Sequence, residues 1–278
     1  MILLNGKELS EKLYESLNEI KDKMRYKLII LTIGNDEASK VYVRNKIKSC
    51  EKVGVSCQHI FVDENMSEIE FESYVKKLIK THFDNSIRFD NGGIILQLPA
   101  PKHLVEVFNR VIPPCFDVDG FGDINKEYLM TNREPYHYPA TPKGIMTMLD
   151  SYNIPIEGKH VVIIGRSDIV GKPLAQMMLN RNATITICHS KTENLEVITR
   201  TADILVVAIG KPKFINETHI KDGVTIIDVG INRTENGLCG DVDFEKVKDK
   251  CYAITPVPCG VGPMTVYSLI ENTMKICK

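Results

Sequence analysis

The 278-residue chain has almost no net charge: 35 Lys and Arg against 36 Asp and Glu leave −1. That balance excludes a strong electrostatic footprint for nucleic acid or an anionic membrane and points to small-molecule chemistry. No segment approaches about 20 consecutive apolar residues, so no membrane-spanning helix is expected. Cys50, Cys57, Cys115, Cys188, Cys239, Cys251, Cys259 and Cys277 are scattered, without a C-x-x-C pair or a His/Cys cluster at zinc spacing. They read as reduced core thiols of a cytoplasmic protein with no metal site. The N-terminal MILLNGKELSEKLYESL has too short an apolar run and too early a charge for a signal peptide. Also absent is the three-glycine run G-x-G-x-x-G of dinucleotide-binding turns.

What is present is a 43% hydrophobic chain whose length fits two domains at ~150 residues each. Leu9, Leu13, Leu17, Ile20 and Met24 recur at helical spacing over 8–24, ahead of the apolar strand Lys27–Ile33. A helix over Ala38–Val53 with Gly54 as its cap, a strand Ser56–Val62, a helix near Ser67–Lys80 and a strand Gly93–Leu98 follow. Alternation of strand and helix predicts a parallel sheet with helices on its faces. From Pro113 to Pro142 the periodicity fades among prolines, which reads as an irregular crossover ending at a helix near Thr141. Four further apolar runs, His160–Ile164, Ala183–Cys188, Ile204–Ile209 and Val224–Val229, give the strand pattern of a nucleotide-binding half, and a terminal helix is expected from Met264 to Ile276.

The first of those runs continues as Gly165-Arg-Ser-Asp-Ile-Val-Gly171-Lys-Pro173. A strand, a glycine turn and a helix start make an anion site suited to a pyrophosphate, because free N–H groups and the helix dipole both face it. The next strand ends in His189-Ser190-Lys191-Thr192, without the carboxylate that NAD enzymes place against the ribose 2′-hydroxyl. Arg166 facing a hydroxyl and a cation there can pair with a 2′-phosphate, so NADP is preferred over NAD. A solvated surface role for Arg166 is the competing reading.

Nine stretches then appear in order: Tyr42-Val-Arg-Asn-Lys46, Gly93-Ile-Ile-Leu-Gln-Leu-Pro99, Asp117-Val-Asp-Gly-Phe121, Pro139-Ala-Thr-Pro-Lys-Gly144, Gly165–Gly171, Cys188-His-Ser-Lys-Thr192, Asp228-Val-Gly-Ile-Asn232, Gly240-Asp-Val242 and Ile254-Thr-Pro-Val-Pro-Cys-Gly-Val-Gly-Pro-Met-Thr265. With them the chain resembles the bifunctional methylenetetrahydrofolate dehydrogenase/methenyltetrahydrofolate cyclohydrolase family over almost its whole length. The resemblance implies an α/β protein: an N-terminal parallel α/β catalytic domain over 1–138, a Rossmann-type NAD(P)-binding domain over 139–263, and a helix over 264–278 returning to the first. It also implies a tetrahydrofolate-type substrate in a cleft between the domains, and a homodimer formed through the cofactor domains.

Lys46 serves hydrolysis by that resemblance, Tyr42 stacks on the folate, and Gln97 holds Lys46 and the folate beside Leu98. Asp119 pairs with the pterin ring, while Pro258, Gly260, Gly262 and Pro263 shape the loop over the substrate. Thr141, Gly165, Arg166, Ser167, Val170, Gly171, His189, Ser190, Ala208, Ile209, Gly210, Gly230 and Ile231 are implied for the cofactor. The residues alone leave room for blander roles. Tyr42 and Lys46 share a helix face at i, i+4, but so many cations follow (Lys40, Arg44, Lys48, Lys52) that a solvated Lys46 competes. Asp119 before Gly120 also makes a good turn.

Two departures stand out: Phe116 where the family usually has lysine, and Cys259 where it usually has glycine. Cys259 at a positive φ would carry strain on the order of 1 kcal/mol. Competing identities are another two-domain NADP dehydrogenase of the shikimate dehydrogenase kind and a catalytically inactive folate-binding relative.

Overall fold

The computed structural model describes residues 1–20, 26–34, 37–83, 92–235 and 237–275. In chain order the elements begin β1 (Ile2–Leu3), α1 (Gly6–Asn18), β2 (Lys27–Ile33), α2 (Glu37–Val53), β3 (Ser56–Val62), α3 (Glu68–Phe83), β4 (Gly92–Leu96), α4 (Lys102–Val111), α5 (Asp123–Met130) and α6 (Ala140–Ser151). They continue β5 (His160–Ile164), α7 (Gly171–Leu179), β6 (Thr184–Cys188), α8 (Leu195–Thr199), β7 (Ile204–Val207), β8 (Thr225–Asp228), β9 (Asn232–Thr234), β10 (Gly237–Cys239), α9 (Phe244–Val247), β11 (Ala253–Ile254) and α10 (Val261–Met274). The chain forms two compact units, one of residues 13–140 and 266–278, the other of residues 1–12 and 141–265.

The first unit holds a three-stranded parallel sheet in the order β3-β2-β4. Its central strand, KLIILTI, is buried on both faces apart from Lys27, as a near-continuous apolar run in a parallel sheet must be. Ile29, Leu31, Phe71, Val75, Ile94, Leu104 and Phe108 form one core with the apolar sides of α3 and α4. A fully buried Phe71 stabilises this packing by ~1.5–3 kcal/mol relative to an exposed ring. The C-terminal helix α10 returns here through Asn272, whose Nδ2 donates to the carbonyls of Val118 and Tyr138, both at 2.9 Å.

The second unit is built on a six-stranded parallel sheet ordered β1-β11-β8-β7-β5-β6. β6 lies on one side of β5 and β7 on the other, so the strand order reverses at β5. Open α/β sheets bind ligands at such a switch point, beyond the carboxyl ends of the strands.

The predicted strands Lys27–Ile33, Ser56–Val62 and His160–Ile164 match β2, β3 and β5 residue for residue. Elsewhere the structure departs from expectation. Residues 1–12 group with the nucleotide-binding sheet rather than with 13–138, because Ile2 and Leu4 donate to the carbonyls of Tyr252 and Ile254 and so cover an open edge of the sheet. Helix α1 stops at Asn18, and Met24, assigned to it from periodicity, lies outside the described residues. The proline-rich stretch expected to be irregular contains α5, which Asn125 anchors by donating to the Pro114 carbonyl and to Asp117. Helix α4 has a clear apolar side, Leu104, Val107 and Phe108, that the sequence reading left unassigned. Among the described residues, no helix is long and apolar enough to cross a membrane, and no group of His, Cys, Asp or Glu could hold a metal ion.

Candidate active site

Helix α2 carries Lys40, Arg44, Lys48 and Lys52, yet it treats Lys46 differently: Lys46 is 8% exposed, while Arg44, Lys48 and Lys52 face solvent. Its Nζ donates to Gln97 Oε1 at 2.9 Å. Gln97 sits one residue past β4, whose ladder its backbone extends by donating to the Leu31 carbonyl at 2.8 Å. Its Nε2 donates to the Leu98 carbonyl at 2.8 Å, which fixes the amide so that the acceptor oxygen faces the lysine. Burial pulls the Lys46 amine below the ordinary lysine range, with the Asp119 charge acting against that shift. Burial likewise pushes Asp119 above the usual carboxylate range, opposed by Lys46. An amine and a carboxylate that each hold protons less typically than in water are thus close enough to feel one another. Tyr42, one turn before Lys46, is 44% exposed.

Two thiols share this environment. Hydrogen bonding to Cys57 and burial push the Cys50 thiol up, so it stays neutral beside Lys46.

The turn bonds expected of Asp119 are made by Asp117. That buried carboxylate accepts from the backbone N–H of Gly120 (3.1 Å), Phe121 (3.2 Å) and Gly122 (2.7 Å) and from Asn125 Nδ2 (2.8 Å). Gly120 is required here: its φ is +73°, and a Cβ would meet the Pro139 nitrogen and the Tyr138 carbonyl carbon at 2.6 Å. Asp117 therefore holds the turn from which Asp119 projects. Phe116, standing where lysine is usual, stacks on Phe83 with centroids 4.7 Å apart and packs against the core, so the lost charge is exchanged for apolar contact.

The remaining residues implied for the substrate lie in the other unit. Pro258, Cys259 and Gly260 precede α10, whereas Gly262 and Pro263 belong to its first turn rather than to the loop. A proline fits there because the first turn's N–H groups have no intrahelical partner. Cys259 has φ +83°, the condition under which the strain considered above applies, and its carbonyl accepts from Lys7 N–H at 3.0 Å. A Cβ on Gly262 would lie 3.6 Å from Ile231 Cδ1, ordinary contact, so these residues implied for substrate and cofactor are neighbours.

Apart from Thr141, the residues implied for the dinucleotide follow the carboxyl ends of the parallel strands β5, β6, β7 and β8. Gly165 N–H donates to the Cys188 carbonyl and Ala208 N–H to the Ile164 carbonyl, both at 2.9 Å, placing Arg166, His189 and Ala208 just beyond adjacent strands. Gly165 (φ +125°) cannot carry a Cβ without striking the Ala208 carbonyl, nor Gly171 without striking that of Gly165. The helix-start N–H groups are less free than the sequence implied. Ser167 Oγ accepts from Val170 and Gly171 at 3.2 and 3.3 Å, and α7 begins at Gly171 with Pro173 third. Arg166, Ser167 and Ser190 are exposed, and the His189–Thr192 turn is closed by His189 N–H to Thr192 Oγ1 at 2.8 Å. Thr141, at the start of α6, accepts from Thr265 Oγ1 at 3.1 Å. A glycine cradle with a guanidinium and a hydroxyl at its rim, and no carboxylate in the 189–192 turn, fits an NADP-type dinucleotide.

The sequence reading quoted Asp117, Asp228 and Asp241 within motifs but gave them no role. Their signal lies in the glycines of those motifs and beside them: the missing side chain of Gly122 makes room for Asp117, that of Gly230 for Asp241 and that of Gly240 for Asp228.

Residues 4–119 match the family model for the catalytic domain of tetrahydrofolate dehydrogenase/cyclohydrolase, and residues 139–278 match the model for its NAD(P)-binding domain. The chain is 48% identical over 277 residues to the bifunctional protein FolD of Acholeplasma laidlawii, spanning 98% of this chain and 96% of that one. Among solved structures, the FolD methylenetetrahydrofolate dehydrogenase/cyclohydrolase of Campylobacter jejuni superposes with a TM-score of 0.91 at 43% identity, covering 98% of this chain and 97% of its own. The Trypanosoma brucei enzyme, solved with NADP cofactor and an inhibitor, gives 0.86 at 31% identity over 98% and 95% of the two chains. Matched along both units in the order that its motifs require, this chain belongs to the tetrahydrofolate dehydrogenase/cyclohydrolase family.

Proposed function

We propose that this chain oxidises 5,10-methylene-tetrahydrofolate to the 5,10-methenyl cation with NADP+ and hydrolyses that cation to 10-formyl-tetrahydrofolate, in one-carbon metabolism. Family membership supports the pair of activities, and one observation carries the assignment of residues: Lys46, alone buried among the cations of its helix, is held by Gln97 and lies within the electrostatic influence of Asp119. The shikimate-type and inactive alternatives are not retained, since the family models match both units and Tyr42, Lys46, Gln97 and Asp119 are all present.

NADP+, when bound, supplies the two-electron acceptor for the first step. The protein's share there is to orient the folate, with Tyr42 against its ring, Asp119 on the pterin nitrogens and Leu98 beside it. In the second step water adds to the electrophilic methenyl carbon and loses a proton, and the bond from that carbon to N5 then breaks, leaving the formyl group on N10. The Lys46 amine, its basicity lowered by burial, takes that proton or relays it, while Gln97 Oε1 keeps the nitrogen aimed. Pro258, Gly260, Gly262 and Pro263 shape the substrate side of the second unit. Thr141, Gly165, Arg166, Ser167, Val170, Gly171, His189, Ser190, Ala208, Ile209, Gly210, Gly230 and Ile231 hold the dinucleotide, with Arg166 and Ser190 on its 2′-phosphate. A cytoplasmic homodimer completes the proposal; β6 is an outer strand of its sheet and exposes Ile187, and sedimentation would test the dimer.

The deciding experiment is a coupled assay on purified protein that follows reduced dinucleotide and methenyl product together, with NADP+ and with NAD+. NADPH formation from methylene-tetrahydrofolate, followed by methenyl decay, is expected. NADPH formed from shikimate and none from the folate would overturn the proposal.

A further inference from the structure

In two motifs, Asp228-Val-Gly-Ile-Asn232 and Gly240-Asp-Val242, the aspartates have no part in the chemistry above, yet both are buried and join the two motifs. Asp241 is fully buried and uses both of its oxygens. Oδ2 accepts from the backbone N–H of Ile209 (2.7 Å) and Gly210 (2.9 Å), while Oδ1 accepts from Lys211 N–H (2.8 Å) and Asn232 Nδ2 (2.9 Å). Asp228, at the end of β8, accepts from the N–H of Gly230 (3.0 Å), Asp241 (3.0 Å) and Val242 (2.9 Å), and so fixes the backbone that carries Asp241. The glycines make the approach feasible: a Cβ at Gly230 would strike the Asp241 carboxyl group, and one at Gly240 the Asp228 carboxylate.

Location gives this pair a function. Ile209, Gly210 and Lys211 form the segment leaving β7, and β7 lies beside β5 where the strand order reverses. Gly230 and Ile231 leave the next strand along. One carboxylate thus grips the wall of the switch point opposite the Gly165–Gly171 turn, and three successive N–H groups that would otherwise seek other acceptors are turned inward onto it. Resting on the reading of Ala208–Gly210 and Gly230–Ile231 as dinucleotide contacts, we propose that Asp241 is the positioning residue for the NADP site, acting through the backbone of 209–211 without touching the cofactor.

An amide at 241 offers one acceptor oxygen where the carboxylate offers two, so Asp241→Asn leaves one pair of donors facing an NH2 group. The variant should raise the KM for NADP+ roughly tenfold or more with kcat changed by no more than about threefold, because the loop is displaced before chemistry begins. Hydrolysis of methenyl-tetrahydrofolate measured without dinucleotide should stay within about twofold of the unaltered chain, a split that general loss of folded protein would not give. Asn232→Ala, which removes a single donor from Oδ1, supplies the same test if Asp241→Asn fails to fold; a rise of roughly threefold in the KM for NADP+ is expected. An unchanged KM in a folded Asp241→Asn or in Asn232→Ala, or a parallel fall of both activities, overturns the role given to Asp241. Absence of NADP+-dependent oxidation in the unaltered chain would instead remove the functional reading, and this inference with it.

Discussion

The two units build their sites by opposite means. In the unit of residues 13–140 and 266–278, the proposed chemistry rests on side chains whose proton affinities burial has moved: Lys46 down, Asp119 up, with Gln97 as the fixed acceptor. In the unit of residues 1–12 and 141–265, the residues implied for the dinucleotide include Gly165, Gly171, Gly210 and Gly230, and the buried carboxyl groups of Asp228 and Asp241 accept from backbone N–H groups of the loops. A site that moves protons needs titratable groups at the substrate, whereas one that holds a dinucleotide needs a backbone that does not shift. Clamping carboxylates occur in both units, Asp117 in the first and Asp228 and Asp241 in the second, but among the described residues only the first also sets a carboxylate, Asp119, within the influence of a buried amine.

The largest test of that contrast is Lys46→Met, which should lower cyclohydrolase activity by at least about 10²-fold while NADPH formation falls far less. Equal losses in both activities would make the lysine a folate anchor and erase the contrast. Next comes Arg166→Ala, an exposed change expected to raise the KM for NADP+ about tenfold and leave that for NAD+ nearly unaltered. Steady-state kinetics with each dinucleotide would show it, and matching losses would detach Arg166 from the 2′-phosphate.

A smaller effect separates the units by pH. Burial raises Asp117 to about 6 and Asp228 to about 7. In each case the folded state keeps a proton that the unfolded chain has released, so the associated stability is whole below pH ~4 and lost as pH rises through the folded value. Melting temperature should therefore fall by on the order of a few degrees from pH 5 to pH 8. Asp228→Asn should flatten the part of that slope extending to about pH 7, and Asp117→Asn the part ending near pH 6. Thermal scans at each pH would check this, and a melting temperature rising over the interval would contradict it.

The smallest effect concerns Cys259 at φ +83°. Cys259→Gly relieves left-handed strain of ~1–2 kcal/mol and costs ~0.5–1 kcal/mol in unfolded-chain entropy. The first term wins, so denaturant unfolding should show a gain of about 0.5 kcal/mol; a loss would mean that the thiol packs usefully.

The sequence exposed some of this and hid the rest for physical reasons. Buried parallel strands announce themselves as apolar runs, so β2, β3 and β5 were legible to the residue. Helix α5 was not, because its anchor is a tertiary bond from Asn125 to Asp117 that no periodicity records. The N-terminal strand β1 has two residues and joins a partner more than two hundred positions away, beyond any local signal. Burial of Lys46 was invisible among its cationic neighbours and required the resemblance to be singled out. The clamps Asp117, Asp228 and Asp241 stood in quoted motifs, but an aspartate that binds its own backbone and one that binds a ligand have the same letter; only hydrogen bonds tell them apart.

The claim on which the rest depends is that burial has lowered the proton affinity of Lys46. Labelling the lysine Cε carbons and titrating them by NMR measures it directly, with Lys46→Met to assign the signal. The account predicts that the signal missing from the variant titrates below the ordinary lysine range; that signal titrating within the ordinary alkaline range would contradict it.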